Sequence, residues 1–255
     1  MKITGSFRSR VLAREWLIGT WLNLGSPVTA ELAGLAGFDW VLLDHEHGPG
    51  GEDTMLHQLQ AVSATPAVPI VRIAANEMAR FKRALDMGAL GVMAPFVSSV
   101  ADAEATVQAM RYPPRGQRGV AKNHRASGFG ADFEHYYLHA HECLLNLVQI
   151  ETAAAVAAID GIAAVDGVDV VFVGPTDLSY ALGIRDQLDH PTFLSAVQKV
   201  AAAAKKHGKA AGILIHEASL VAKCREWGFT FVALGSDSGA VRGGLQQSIN
   251  ALRAK

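Results

Sequence analysis

Five residues of this sequence have types and positions suited to catalysis: Asp44, His47, Arg72, Glu151 and Asp177. Glu151 closes the run Val148-Gln149-Ile150-Glu151, and Asp177 lies in Gly174-Pro175-Thr176-Asp177, directly after another apolar run. If those runs are neighbouring strands, they lie about 5 Å apart. Two carboxylates that close repel unless one is protonated or a cation lies between them. A hard divalent ion such as magnesium commonly takes one or two carboxylates and completes its shell with water and substrate oxygens. Manganese or cobalt tolerates the same oxygen-rich shell. The plainer alternative is a pair of strand-end acids that cap helices or meet arginines.

Asp44 and His47 stand three apart in Asp44-His45-Glu46-His47-Gly48-Pro49. A carboxylate beside an imidazole fixes its tautomer and raises its basicity, which makes a proton shuttle near neutral pH. His45 reads better as a loop residue bonded to backbone, and Glu46 as either solvent-facing or a supporting partner. Arg72 ends the apolar run Val68–Ile73, where a guanidinium is costly to bury unless it meets an anion. A substrate carboxylate or developing oxyanion suits its planar donor fork. An internal salt bridge to Asp44 or Glu46 is the competing reading.

The elements that must position these groups follow from hydrophobic patterning. Eight short apolar runs read as strands: Leu17–Trp21, Trp40–Asp44, Pro69–Ile73, Gly91–Phe96, Leu144–Glu151, Val168–Val173, Ala210–Ile215 and Phe231–Gly235. Most lack polar alternation, as expected of parallel strands covered on both faces. Helical patterns lie between them. Ser99 and Asp102 open Val100–Arg111 in the manner of a capping box, and Gly88, Gly208 and Gly228 follow Glu77–Met87, Pro191–His207 and Glu217–Trp227 where left-handed caps are wanted. Eight strand–helix rounds in 255 residues predict one (β/α)8 barrel domain over residues 1–255, with a doubly wound sheet as the alternative. No G-x-G-x-x-G follows the first strand, which weakens a dinucleotide reading. Tyr112–His141 breaks the rhythm and reads as a long loop, functional or in a subunit contact.

In such a barrel the reacting groups stand at strand C-termini. That places Trp21, the 44–47 cluster, Arg72, Gln149 to Glu151, Gly174 to Asp177 and Gly235-Ser236-Asp237 at one rim. No lysine ends a predicted strand, and a Schiff-base aldolase needs one there. Lys82, Lys199, Lys205, Lys206 and Lys209 fall on or just after helices, and Lys122 lies in the long loop. Cys143 and Cys224 read as structural. His124, His135, His139 and His141 crowd the loop without a metal-ligand spacing.

Half the residues are hydrophobic and 18% are charged, enough apolar content for a large core. A net charge of −1 gives no field favouring nucleic acid or anionic lipid. Two cysteines are no disulfide framework. Neither a signal-peptide run nor a bilayer-length apolar stretch is evident, so a soluble cytoplasmic protein is the expectation.

Six segments together resemble the HpcH/HpaI family of class II, metal-dependent pyruvate aldolases, over roughly Ile18 to Leu252: Gly37-Phe38-Asp39-Trp40, Asp44 to His47, Pro69 to Arg72, Tyr112 to Gly119, Val148 to Thr152 and Gly174 to Ser179. The resemblance implies that Glu151 and Asp177 ligate a divalent metal (Mg²⁺, Mn²⁺ or Co²⁺). Pyruvate would chelate it through a carboxylate and the keto oxygen. His47, oriented by Asp44, would move protons, and Arg72 would stabilise the enolate. Gln149, Gly174, Pro175, Thr176 and Trp21 would bind substrate, with backbone amides near Thr176 on its carboxylate. Such a site is a Lewis acid with preorganised donors aimed at an oxyanion. The implied reaction is reversible cleavage of a 4-hydroxy-2-oxo acid to pyruvate and an aldehyde, such as succinic semialdehyde, a tartronate-type semialdehyde or lactaldehyde. Oxaloacetate decarboxylation through the same enolate and a non-catalytic metabolite-binding barrel are the rivals. His45 and Thr176 depart from the usual glycine and alanine, which bears on substrate preference. The resemblance also implies a homo-oligomer, commonly a hexamer that exchanges its last helix between subunits; Gly239–Lys255 would supply that helix. Neither a nucleic-acid nor a membrane partner is expected.

Overall fold

Eight parallel strands close into a barrel in the computed structural model of the chain, which describes residues 3–254. In chain order the elements are α1 (Ser6–Leu12), β1 (Leu17–Leu22), α2 (Pro27–Leu35), β2 (Trp40–Asp44), α3 (Glu52–Val62), β3 (Val68–Arg72), α4 (Met78–Met87), β4 (Gly91–Ala94), α5 (Val100–Met110), α6 (Phe133–Cys143), β5 (Leu145–Ile150), α7 (Ala153–Ala164), β6 (Val170–Val173), α8 (Pro175–Ala181), α9 (Pro191–Lys206), β7 (Ala210–Ile215), α10 (Val221–Trp227), β8 (Phe231–Ser236) and α11 (Asp237–Arg253). Each strand pairs with the next, and β8 returns to β1. The doubly wound alternative is thereby excluded.

Strand parity sorts the apolar residues into two cores. Inside the barrel, Trp21, Trp40, Leu42, Ile70, Met93, Leu147, Val170, Phe172 and Phe231 pack together. The opposite parity, with Leu22, Val41, Val71, Val92, Val148 and Val171, packs outward against the helices. The interior accepts its large rings only because two strand positions carry no side chain. A Cβ on Gly19 would lie 2.3 Å from the Trp40 ring, and one on Gly212 would lie 2.3 Å from Phe172.

The expected helix ends hold, with local corrections. Gly88 and Gly228 are left-handed caps of α4 and α10, and Gly208, also left-handed, follows the end of α9. Ser99 Oγ accepts the Asp102 N–H, but the Asp102 carboxylate accepts from Ser98 rather than from Ser99 as a capping box requires. The fourth strand stops at Ala94 instead of Phe96, because Phe96 takes a left-handed φ of +53° that no strand continues. The Glu217–Trp227 pattern splits into a 3-10 turn, Ala218–Leu220, and α10.

Tyr112–His141 is not one long loop. It contains a 3-10 turn, Arg125–Ser127, and most of α6. Phe133, Tyr136 and Ala140 bury one face of α6 at helical spacing. The histidines and aromatics that disguised this helix are poor helix formers, and burial of that face outweighs their propensity. Among the described residues no helix is long and apolar enough to cross a membrane.

Candidate active site

A cavity of about 280 Å³ opens at the C-terminal rim, lined by Trp21, His47, Arg72, Gln149, Phe172, Gly174, Pro175, Thr176, Asp177 and Leu214. The strand ends converge here because inward parity carries Trp21, Arg72, Gln149 and Leu214 past the last apolar layer. Gly174 continues β6, and Asp177 stands on the first turn of α8. Glu151 follows β5, with its carboxylate directly over Gly174. The structure therefore gathers Trp21, His47, Arg72, Gln149, Glu151, Gly174, Pro175, Thr176 and Asp177 in one place. Lys122 lies on the surface beside the Phe133 ring, and among the described residues no lysine lines the cavity.

Arg72 is tightly engaged. Its Nε donates to Asp44 Oδ1 at 2.9 Å and its Nη2 to Asp44 Oδ2 at 2.7 Å, while Nη1 lies 2.9 Å from Glu46 Oε2. The internal pairing weighed from sequence is thus present on both predicted partners. The guanidinium also sits 5.5 Å from the Trp21 ring centroid, and so faces the cavity. Burial opposes ionisation of Asp44. The Arg72 bonds and charge, with the backbone N–H groups of His47 and Glu46, outweigh it and hold the carboxyl below its ordinary value.

This geometry corrects the expected orientation of His47. Asp44 Oδ1 accepts the His47 backbone N–H at 3.3 Å, and its remaining capacity is spent on Arg72 and the Glu46 N–H. The carboxylate that faces the imidazole is Glu46, with Oε2 3.9 Å from His47 Nε2. His45 turns away from the cavity. Its Nε2 meets Gln58 Oε1 on α3 at 3.2 Å, and burial lowers its pKa. An imidazole there does not narrow the pocket.

Glu151 is 1% exposed. Its Oε1 accepts the Phe96 N–H at 2.7 Å, and its Oε2 has no partner among the described residues. Burial pushes this carboxyl up to about 7, opposed by the Phe96 N–H and reinforced by the charges of Asp177 and Glu46. Gln149 Oε1, beside it, is also buried without a partner. Three carboxylates, Asp44, Glu46 and Glu151, thus act on one guanidinium, and Asp177 lines the same cavity. No group of three or more potential ligands forms a ready-made cage among the described residues. A bare carboxylate oxygen, a second acid and room for exogenous oxygens instead fit a hard cation that keeps much of its shell from water or substrate.

Sequence reading missed Phe172, Leu214 and the Phe96 amide. The two side chains share inward parity with Trp21 and Arg72, so extending that parity along β6 and β7 would have found them. The amide depends on a backbone conformation that no side-chain pattern announces.

A closed (β/α)8 barrel whose rim gathers paired and unpaired acids around an apolar-walled pocket has the layout of a barrel enzyme. The sequence pattern of the HpcH/HpaI aldolase/citrate lyase family matches residues 17–243. The 5-keto-4-deoxy-D-glucarate aldolase of Salmonella paratyphi C is 42% identical over 241 residues, 94% of each chain. An HpcH/HpaI aldolase/citrate lyase family protein from Burkholderia cenocepacia J2315 has 36% identity and a TM-score of 0.94, over 98% of this chain and 100% of that one. The citrate synthase SbnG has 30% identity and a TM-score of 0.86, over 98% of both chains. The chain belongs to the HpcH/HpaI aldolase/citrate lyase family and is a carbon–carbon lyase.

Proposed function

We propose that this enzyme is a divalent-metal-dependent aldolase that cleaves a 4-hydroxy-2-oxo acid to pyruvate and an aldehyde. The observation that carries this reading is the buried, partnerless Oε2 of Glu151, acted on by the charge of Asp177 beside the Arg72 pocket. Glu151 and Asp177 would hold the metal. When bound, such an ion acts as a Lewis acid on the carboxylate and keto oxygens of the substrate. Arg72, fixed by Asp44 and Glu46, keeps two of its five donors for the oxygen on which charge develops. His47 takes the proton of the C4 hydroxyl as the C3–C4 bond breaks, and returns one in the synthetic direction. Gln149, Gly174, Pro175 and Thr176 wall the oxo-acid end; Trp21, Phe172 and Leu214 exclude water from it.

Among aldehydes, the likeness to 5-keto-4-deoxy-D-glucarate aldolases favours the tartronate-type semialdehyde. Cleavage of that oxo acid between its methylene and the adjacent carbinol carbon leaves pyruvate and a three-carbon aldehyde that keeps a carboxylate. The test is a screen of Mg²⁺, Mn²⁺ and Co²⁺ against tartronate semialdehyde, succinic semialdehyde and lactaldehyde with pyruvate as donor. Turnover that needs a metal and disappears in Glu151→Ala is expected, and His47→Ala should lose turnover while it retains the metal. Equal turnover after chelation would overturn the reading. Release of pyruvate from oxaloacetate but from no 4-hydroxy-2-oxo acid would replace it with a decarboxylase.

The assembly we infer is a homo-oligomer, the hexamer being the family's expectation. Val241, Leu245, Ile249 and Leu252 are exposed on α11, and Val28, Leu32 and Leu35 on α2. Between these helices lies a groove of about 720 Å³. The last helix of a second copy is the apolar occupant that this exposure favours. A single species at monomer mass in light scattering would reject it.

A further inference from the structure

Two polar side chains of β5 and its C-terminal end converge on the bare Cα of Gly174. A Cβ built there would lie 2.6 Å from Glu151 Oε2, 2.8 Å from Gln149 Nε2 and 3.2 Å from Glu151 Cβ. The backbone does not demand glycine, since φ of −88° and ψ of 95° suit any residue. Space does. Both Glu151 and Gln149 are buried, and each carries an oxygen without a partner. Adding a methyl would force out the free Glu151 Oε2 and the Gln149 amide nitrogen.

The other Glu151 oxygen is fixed from the opposite side. Phe96 donates its N–H to Oε1 at 2.7 Å from a left-handed conformation, φ +53°. A phenylalanine whose side chain is exposed gains little packing from that conformation, which costs a residue with a Cβ roughly 1–2 kcal/mol. Strained backbone of this kind persists where the surrounding structure holds it, commonly at functional sites. Its effect here is to clamp one carboxylate oxygen while Gly174 clears the other.

We propose that Gly174 is a positioning residue for the metal site: its missing side chain lets Glu151 present Oε2 to a divalent cation while the Gln149 amide shares the same space. The inference rests on the metal reading above. An added methyl must push Oε2 by roughly an ångström to reach ordinary contact distance. Magnesium-like ions demand near-ideal geometry at about 2.0–2.1 Å, so a shift of that size unseats the ligand. Because the nearest atoms are side-chain ends and not backbone, the strand itself need not move.

The test is Mn²⁺ binding followed by electron paramagnetic resonance, together with thermal melting, on full-length wild type, Gly174→Ala and Glu151→Gln. Gly174→Ala should weaken Mn²⁺ at least tenfold, with circular dichroism unchanged. Equal Mn²⁺ affinity in Gly174→Ala and wild type would overturn the inference and leave the metal reading standing. Failure of the wild type to bind Mn²⁺ would overturn the metal reading, and the inference with it. If Gly174→Ala instead melts early, Gly174→Ala/Glu151→Asp decides. Shortening the acid withdraws it from the methyl, so the double variant should melt higher than the single one. No recovery would place the clash elsewhere and sink the proposal.

Discussion

Asp169 and Glu151 flank adjacent strands at opposite ends of the barrel, and each is 1% exposed. Equal burial makes their difference one of partners. Asp169, at the entry to β6, takes the Arg8 guanidinium on both oxygens, at 2.7 and 3.1 Å, and the Asn146 N–H on Oδ2. Glu151, just past the exit of β5, has one amide on Oε1 and nothing on Oε2. A buried carboxylate closed by a guanidinium settles the chain's entry into the strand. One left open is costly to folding, and it stands at the strand C-termini, the end where barrel enzymes carry their active sites. The Arg118 pair on the barrel's flank repeats the closed pattern, with Nη2 on Asp86 at 2.7 Å and the guanidinium 4.4 Å from the Tyr112 ring centroid.

Removing the two acids should therefore give opposite phenotypes. Glu151→Gln keeps the shape and cancels a charge, so turnover should fall by 10³ or more, about 4 kcal/mol of barrier, with no loss of thermal stability. Steady-state kinetics and calorimetry check it, and a destabilised but active variant would erase the contrast. Asp169→Ala strands Arg8 and the Asn146 amide. Breaking a buried pair costs about 3–5 kcal/mol; a lowered melting temperature with near-normal turnover at 25 °C is expected.

The pH response sharpens the same contrast. In chelated protein, Glu151 goes from an ordinary value of 4.5 to about 7 on folding. Between those values the folded state binds a proton that the unfolded state has released, so stability falls as pH rises from 4.5 towards 7. At roughly 1.4 kcal/mol per pH unit, the ceiling is about 3 kcal/mol. Denaturant melts at pH 5 and 7.5 should show this loss, and Glu151→Gln should remove it. A loss that survives in the variant belongs to another group.

The smallest effect is expected at the clamp. Phe96→Gly keeps the amide that binds Glu151 and relieves the positive φ, so stability should change by no more than about 1 kcal/mol, with Mn²⁺ affinity retained. A large loss of affinity would mean that the phenyl ring, and not the backbone, places the acid.

Much of this was legible in the sequence. All eight strands were read to within about two residues, because parallel strands covered on both faces are continuous apolar runs. Most rim residues followed from the strand ends; Phe172 and Leu214, one layer in on β6 and β7, did not. Nor did the partner choice within the rim. Asp44 stands three residues from His47 but is paired in register with Arg72 across β2 and β3, and cross-strand register cannot be read from spacing along one strand. α6 stayed hidden because its buried face is built from Phe133, Tyr136 and Ala140 among histidines. Phe96 was unreadable for a different reason: its contribution is a backbone amide.

The central claim is that Glu151 and Asp177 hold a cation that lets this pocket form an enolate. Exchange of the pyruvate methyl protons for deuterium, followed by proton NMR in D₂O, tests it without any assumption about the aldehyde. Exchange that requires Mn²⁺ or Mg²⁺, stops on chelation and is absent in Glu151→Gln is the predicted result. Exchange at the same rate in chelated enzyme or in Glu151→Gln would contradict the account.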